Sequence, residues 1–474
     1  MKKTGIVLSV LLIAGVAVTG GAWFTGQQLE THLESKLAEA NQELARQLPG
    51  SSIRLESLQR GLFGSQARYR IDLGEQAAEL PSSELVLVED IEHGPLPLSR
   101  LVRLQLMPVL TYGHARLEEG PLTAPLFRMA NGAEPLSLHT ALGYDQTASL
   151  AVEVAPLRHA DAELEFAFSG FTGDFEVGTE VLRGAGQVAR LELVTLGEQP
   201  GTLHVQDFRF DMDRVKGDAG IYLGEESARV SRVDLTLADM APLVLSQLDL
   251  RDRISQNGDL LAAEFFGQVA SVSYADQPLG SLRLDWSAHD LDAAGLMALA
   301  DLLNRYAEAP EAESQELTPA QERELLAALQ AVLASEPRLS LDRLALRTAN
   351  AESLLSIAVG LRQAREEPLS LDDAIREMLA SLDIRLDVPK DSIRDLVGYK
   401  ALLNPMLDPD EVALEAGMAA EMAGTMALGM GLAILEGDTL RARLSYADDQ
   451  VTFNGNTQSL DEFLMVLGML LGAE

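Results

Sequence analysis

Side chains able to do chemistry are present in this chain, but their spacing assembles little. The seven histidines are His32, His93, His114, His139, His159, His204 and His289, and none has a second histidine at i, i+4 for a helical zinc site. There are no cysteines, which removes disulfides, thiolate metal sites and cysteine nucleophiles together. A Gly-rich phosphate loop, a G-x-S-x-G elbow and an H-E-x-x-H pair are all missing. Asp207, Asp211, Asp213, Gly217 and Asp218 echo a calcium loop. No Glu closes that loop at its twelfth position and Gly217 is at the wrong offset from Asp211, so a solvated strand end is the better reading. With 72 Asp and Glu in the chain, a pair of carboxylates says nothing about acid–base catalysis. The expectation is a non-enzymatic protein with no catalytic residue, no cofactor and no metal. A histidine site assembled in space is the remaining route to chemistry.

Two strings are more distinctive. Arg60-Gly61-Leu62-Phe63-Gly64-Ser65 follows a strand-like stretch from Ile53 to Leu58, and its glycines allow a tight turn or a close backbone approach. Ile91-Glu92-His93-Gly94-Pro95 reads as an extended segment bending at Gly94, because proline restricts the residue before it. On physics alone both are turns, and His93 is a hydrogen-bonding turn residue.

The elements that position these strings begin with an anchor. Lys2 and Lys3 precede nineteen uncharged residues, Gly5 to Trp23, with Ile6, Leu11 and Val16 among them. As a helix this run spans roughly 28 Å, about one hydrocarbon core. The lysines favour a cytoplasmic N-terminus (residues 1–4), and Trp23 and Phe24 suit the far headgroup layer of a span at 5–25. A cleaved signal peptide is the rival reading. Leu29, Leu33, Leu37, Ala40, Leu44 and Leu48 then give an amphipathic stalk helix over 26–50, packed on its own domain or self-associating, ended by Pro49-Gly50.

From residue 51 to about 290 the period is two, with Leu164, Phe166 and Phe168, Leu203, Val205 and Phe208 after one slip, and Leu282, Leu284 and Trp286. One buried and one wet face imply antiparallel sheet. Ser169-Gly170 and Gly173-Asp174 read as turns. Residues 291–335 are helical around an acidic linker, with Thr318-Pro319-Ala320-Gln321 as a capping box. A second α+β region, 336–474, holds strands at Leu339–Leu346 and Leu354–Leu361, a helix from Leu371 to Leu382 and alternating Leu382, Ile384, Leu386 and Val388. It closes with a hairpin and a helix capped by Ser459 and Glu462. Behind Asp408-Pro409 a long helix carries Met418, Met422, Met426 and Met430. Core packing is the first reading of that stripe, and a Met-rich lipid or partner groove is the second. The fold class is therefore α+β and strand-rich: a transmembrane helix, a stalk, then an extended antiparallel body with interspersed helices, curled or groove-like. A net charge of −35 excludes nucleic acid as a partner.

Thr19-Gly20-Gly21-Ala22-Trp23-Phe24-Thr25-Gly26, then Asn41, then Arg60-Gly61-Leu62-Phe63-Gly64-Ser65, then His93-Gly94-Pro95, and finally Phe453-Asn454-Gly455 resemble, in this order, the YdgA-like family of bacterial envelope proteins, a domain of unknown function of the DUF945 type. The resemblance implies an inner-membrane protein whose bulk faces the periplasm, and it carries over no activity, cofactor or catalytic residue. The singly anchored, strand-rich layout is also similar in style to AsmA-like envelope proteins, whose sheets form lipid-accommodating grooves. The functional expectation is a β-rich body that binds a lipid, another hydrophobic ligand or an envelope partner. The alternatives are an inner-membrane adaptor without a ligand and an envelope hydrolase with an unrecognised site. An open greasy trough would favour lipid handling, and a sealed sandwich an adaptor. Alternation alone does not say what covers the apolar face.

Overall fold

The computed structural model describes residues 41, 50–74, 82–197, 199–238, 240–307, 318–364, 377–404 and 406–471. The expected anchor with Lys2, Lys3, Ile6, Leu11, Val16, Trp23 and Phe24 lies outside these residues. So do the stalk, apart from Asn41 and Gly50, and the acidic linker from 308 to 317. Among the described residues no helix is long and apolar enough to cross a membrane. The body is strand-rich and antiparallel with few helices, as the period of two predicts. It forms two compact units, residues 1–216 with 226–239, and residues 217–225 with 240–474.

The first unit holds β1 (Ser52–Arg60), β2 (Gly64–Asp72), β3 (Glu84–His93), β4 (Thr111–Leu117), β5 (Leu136–Leu142), β6 (Ala148–Val154), β7 (Leu157–Ala160), β8 (Leu164–Phe168), β9 (Phe171–Val177), β10 (Val181–Thr195) and β11 (Gly201–Lys216), and β12 (Tyr222–Leu237) follows. The ladder runs β1-β2-β3-β4-β5-β6-β9-β10-β11, antiparallel throughout. The far half of β10 pairs with β8, and β7 lies beyond β8. Two short helices, α1 (Leu98–Val102) and α2 (Ala124–Met129), interrupt it. Alternation decides the core. Ala67, Tyr69 and Ile71, then Leu85 and Leu87, then Leu136 and Leu138, then Leu150 and Val152 all face one side, and Leu126 and Met129 of α2 pack there. At the edge, Asn41 Nδ2 donates to Ile53 O at 2.9 Å and Ile53 N donates to Asn41 Oδ1 at 2.6 Å.

Gly170 is a turn as expected, at φ +95. Gly173-Asp174 is not; it lies inside β9. A Cβ at Gly173 would sit 2.7 Å from Phe171 Cζ and 3.0 Å from Phe175 Cε2, so glycine makes room there for two core rings. The slip between Val205 and Phe208 falls at Asp207, where φ is +52 inside β11.

The second unit holds β13 (Leu243–Asn257), β14 (Leu260–Tyr274), β15 (Gln277–Asp292), β16 (Arg338–Arg347), β17 (Glu352–Leu361), β18 (Leu379–Pro389), β19 (Ile434–Glu436), β20 (Thr439–Ala447), β21 (Gln450–Phe453) and β22 (Asn456–Ser459). Its ladder is β13-β14-β15-β16-β17-β18-β20-β21-β22, with β19 also on β20. Helices α3 (Ala293–Ala307), α4 (Pro319–Leu333), α5 (Lys390–Gly398), α6 (Lys400–Leu403), α7 (Pro409–Gly429) and α8 (Leu460–Leu471) complete it. The capping box of α4 forms between Thr318 and Gln321. At α8, Ser459 N donates to Glu462 Oε2 at 3.1 Å and Glu462 N to Ser459 Oγ at 3.3 Å. Of the helix expected from Leu371 to Leu382, residues 371–376 lie outside the described residues, and from Leu379 the chain is strand, because alternation from 382 onward pairs with β17 and β20.

The methionine stripe is not core. Met418, Met422 and Met426 are more than half exposed, and the buried face of α7 is Val412, Ala416, Ala420 and Gly424. Small residues allow close approach: a Cβ at Gly424 would lie 3.1 Å from Lys390 Cε on α5. Glu421, which breaks the apolar run, accepts from Lys390 Nζ at 2.6 Å and from Arg394 Nη2 at 3.2 Å.

The two units differ in closure, and truncation will read it. Leu87 is 4 % exposed and Leu282 is 42 % exposed. Leu87→Ala is expected to cost about 2–5 kcal/mol. Leu282→Ala is expected to cost about 1 kcal/mol or less. Urea unfolding of each variant, followed by far-UV circular dichroism, measures the difference.

Candidate functional site

The two distinctive strings meet at one end of the first unit. Gly61 N donates to Gly64 O at 2.8 Å, closing the β1–β2 turn, and His93 N donates to Phe63 O at 3.0 Å. Ser65 Oγ and His93 Nε2 lie 3.0 Å apart. Gly94 N donates to Leu110 O at 2.8 Å, and the Gly94–Pro95 peptide is cis. Arg60 ends β1, while Leu62 and Phe63 project into solvent. Asn454 and Gly455 belong to the second unit. There φ values of +49 and +88 make the tight turn between β21 and β22, and Arg443 N donates to Asn454 Oδ1 at 2.9 Å.

Side chains that spacing had left scattered come together on the polar face of β4 and β5. His114 opposes His139 across the ladder, and their rings stack with centroids 4.4 Å apart. Arg103 Nη1 donates to Tyr112 Oη at 2.9 Å, Tyr112 Oη lies 3.2 Å from His139 Nδ1, and His114 Nε2 lies 3.0 Å from Ser137 Oγ. Burial pushes His139 down to about 4, helped by His114 and Arg103, so its ring is neutral at ordinary pH. Two open cavities share Arg103, Tyr112 and His139. One of 730 Å³ also takes in Arg100 and Arg183, and one of 660 Å³ takes in Arg60, Gly61, Ser65 and His114.

Both Ser–His contacts use Nε2. Among the described residues no carboxylate sits on Nδ1 of His93 or His114, and Glu134 approaches His114 at Nε2 at 3.9 Å. A serine triad needs the acid on the other nitrogen. Among the described residues no group of three His, Asp or Glu could hold a metal ion. The arrangement offers arginine donors, a phenol and imidazoles around open space, groups able to hold an anion or a polar headgroup.

Beneath it, Glu89 occupies a core position in the series Leu85, Leu87, Glu89, Ile91. Tyr69 Oη donates to Glu89 Oε2 at 3.4 Å, and a side chain at Gly113 would collide with Glu89 Oε1. Burial pushes the Glu89 carboxyl up to about 8, and Asp90 adds to it against the Tyr69 hydrogen bond. The sequence signal was present, an acid on the apolar beat of a strand. The pairing of His114 with His139 had none, because it depends on register between strands about two dozen residues apart.

The second unit carries a different surface. In-register rows cross its sheet: Leu284, Leu344, Leu355 and Leu386; Trp286, Leu341, Ile357, Ile384 and Leu444; Leu339, Val359, Leu382 and Tyr446. The opposite face of the same strands bears ion pairs such as Arg283–Asp285, Arg343–Glu352 and Arg443–Asp387. Leu282, Trp286, Leu339, Leu346 and Leu386 on the apolar face are each more than a third exposed. This is an open apolar face, whereas the first unit's is sealed.

A family model described as "Bacterial protein of unknown function (DUF945)" matches residues 1–461. Protein YdgA of Escherichia coli (strain K12) is 25 % identical over an alignment covering 99 % of this chain and 97 % of YdgA. Uncharacterized protein YihF of the same organism is 24 % identical over 98 % of each chain. An uncharacterized protein of Haemophilus influenzae is 26 % identical over 33 % of this chain and 42 % of its own. No solved structure matches this chain.

The raised Glu89 predicts a pH dependence. Unfolded, the carboxyl titrates near 4.5; folded, it holds its proton up to about 8. The unfolded chain binds fewer protons between those values, so stability is full below pH 4.5, falls as pH rises toward about 8, and is level above. Glu89→Gln should flatten that slope and raise stability at pH 8 relative to wild type. Thermal unfolding from pH 5 to pH 9 tests this.

Proposed function

We propose that this chain, which belongs to the DUF945 family of bacterial proteins of unknown function, is a non-enzymatic protein of the bacterial envelope, anchored in the inner membrane by its first 25 residues and carrying its bulk in the periplasm. In this reading the β-rich body holds a lipid or another hydrophobic ligand. One observation carries the ligand assignment: the in-register apolar rows of the second unit, left more than a third exposed from Leu282 and Trp286 to Leu346 and Leu386. A soluble monomer seldom exposes a contiguous apolar surface of this kind without something that covers it. The sheet's ion-paired back face gives the ligand one side only.

An envelope adaptor is the second reading, favoured by the outward Leu414, Met418, Met422 and Met426 on α7. Methionines adapt to varied partner shapes.

Full-length protein purified in mild detergent is expected to carry lipid that mass spectrometry identifies. Replacing Leu284 and Leu344, which oppose each other in one of these rows, by glutamine should lower retained lipid several-fold with the unfolding midpoint of the first unit unchanged. No lipid with wild type, together with a protein partner captured by crosslinking from residues on α7, would transfer the assignment to the adaptor.

A further inference from the structure

The end of the first unit that gathers the two strings also exposes its largest apolar side chains. Leu62 and Phe63 in the β1–β2 turn, and Leu98, Val102, Leu104 and Met107 between β3 and β4, are each 72–86 % exposed. They are neighbours, since His93 N bonds Phe63 O, and the 660 Å³ cavity is lined from both segments by Arg60, Gly61, Ser99 and Arg103. The segment is held open by its own backbone. Leu104 N donates to Leu101 O at 3.0 Å, Gln105 N to Arg100 O at 2.9 Å and Val109 N to Pro95 O at 3.0 Å. Leu104 sits at φ +59, where a branched apolar residue is unfavourable and glycine or asparagine would be easier. Six large apolar side chains left in water forgo the burial that an apolar contact would supply.

Charge indicates those surroundings. Residues 57–71 and 94–117 contain no Asp or Glu in a chain of net charge −35. Arg100 and Arg103 stand directly behind the leucines. Arg103 is fixed on Tyr112, and Arg100 Nε is buried without a hydrogen-bond partner among the described residues. Glu92, the acid before this segment, is engaged by the Ser99 N–H at 3.1 Å. Apolar side chains projecting past a layer of arginines is the composition that seats a protein in an anionic interface, with acyl chains taking the leucines and phosphates the guanidinium groups.

We propose that this tip docks on a bilayer containing anionic phospholipid, giving the body a membrane contact separate from any N-terminal anchor. It does not rest on the ligand proposed for the second unit. A partner protein or a second copy would also match the leucines, and dependence on phosphatidylglycerol separates a bilayer from either.

The chain has no cysteine, so single probes can be placed at will. Leu104→Cys and Phe63→Cys, each labelled with an environment-sensitive fluorophore, would be compared with Ala133→Cys, an exposed site before β5 at the other end of the sheet. Full-length protein would be reconstituted into vesicles of phosphatidylcholine with or without phosphatidylglycerol. The expected result is blue-shifted emission quenched by spin-labelled lipid at positions 63 and 104, only with phosphatidylglycerol, and none at 133. Combining Arg100→Gln with Arg103→Gln should lower the docked-to-undocked ratio by about an order of magnitude, as should high salt. A solvated probe at 104 in both vesicle types overturns the proposal. So does protection that arises without vesicles and grows with protein concentration, which would indicate a second copy. Circular dichroism guards against misfolding, and salt dependence of the unmutated arginines tests the same point without a variant.

Discussion

Register across an antiparallel ladder is the constraint on which everything else here rests. Each strand carries an apolar and a polar edge, and pairing turns those edges into faces. Ala67, Leu87, Leu138 and Leu150 become one core only because their strands align. The same alignment stacks His114 on His139 and lines up Trp286, Leu341, Ile357 and Ile384. A slip of one residue in any of these strands would bring its charged edge into the core and leave its apolar edge in water.

One rule produces two outcomes because the covers differ. In the first unit α2 and the β7–β8 hairpin contribute Leu126, Met129, Leu157 and Phe166 to the apolar face, and exposure falls to a few per cent. In the second unit the apolar face is as regular, but its middle strands keep their leucines partly in contact with solvent. The helices there satisfy themselves locally. The small face of α7 packs on α5, which turns its methionines outward. Burial of small residues at close range, rather than of the largest apolar ones, sets that orientation.

Much of this was legible. The strands at 339–346 and 354–361, the hairpin from 440 to 453 and the caps at Thr318 and Ser459 follow from local chemistry, and local chemistry is what a sequence displays. What was not legible depends on contacts distant along the chain. Gly173 looks like a turn until two phenylalanine rings are seen across it. The methionines look like core until the alanines on the other face find α5. Ser65 with His93 was half visible, as two neighbouring turn motifs, and His139 stood only as one of seven scattered histidines, while Arg103, Tyr112 and Glu89 were not singled out at all. Lys2 to Phe24 lie outside the described residues, so the anchor remains an expectation from the sequence.

Asn41 has a consequence for solubility. Among the described residues β1 is paired on one side only, by β2, and an open strand edge invites another sheet to add to it. By accepting from the Ile53 N–H and donating to its carbonyl, one side-chain amide imitates a peptide group of a neighbouring strand and then stops. The ladder is given a last rung that cannot be extended at that point. Growth of the sheet from chain to chain is thereby blocked where β1 begins.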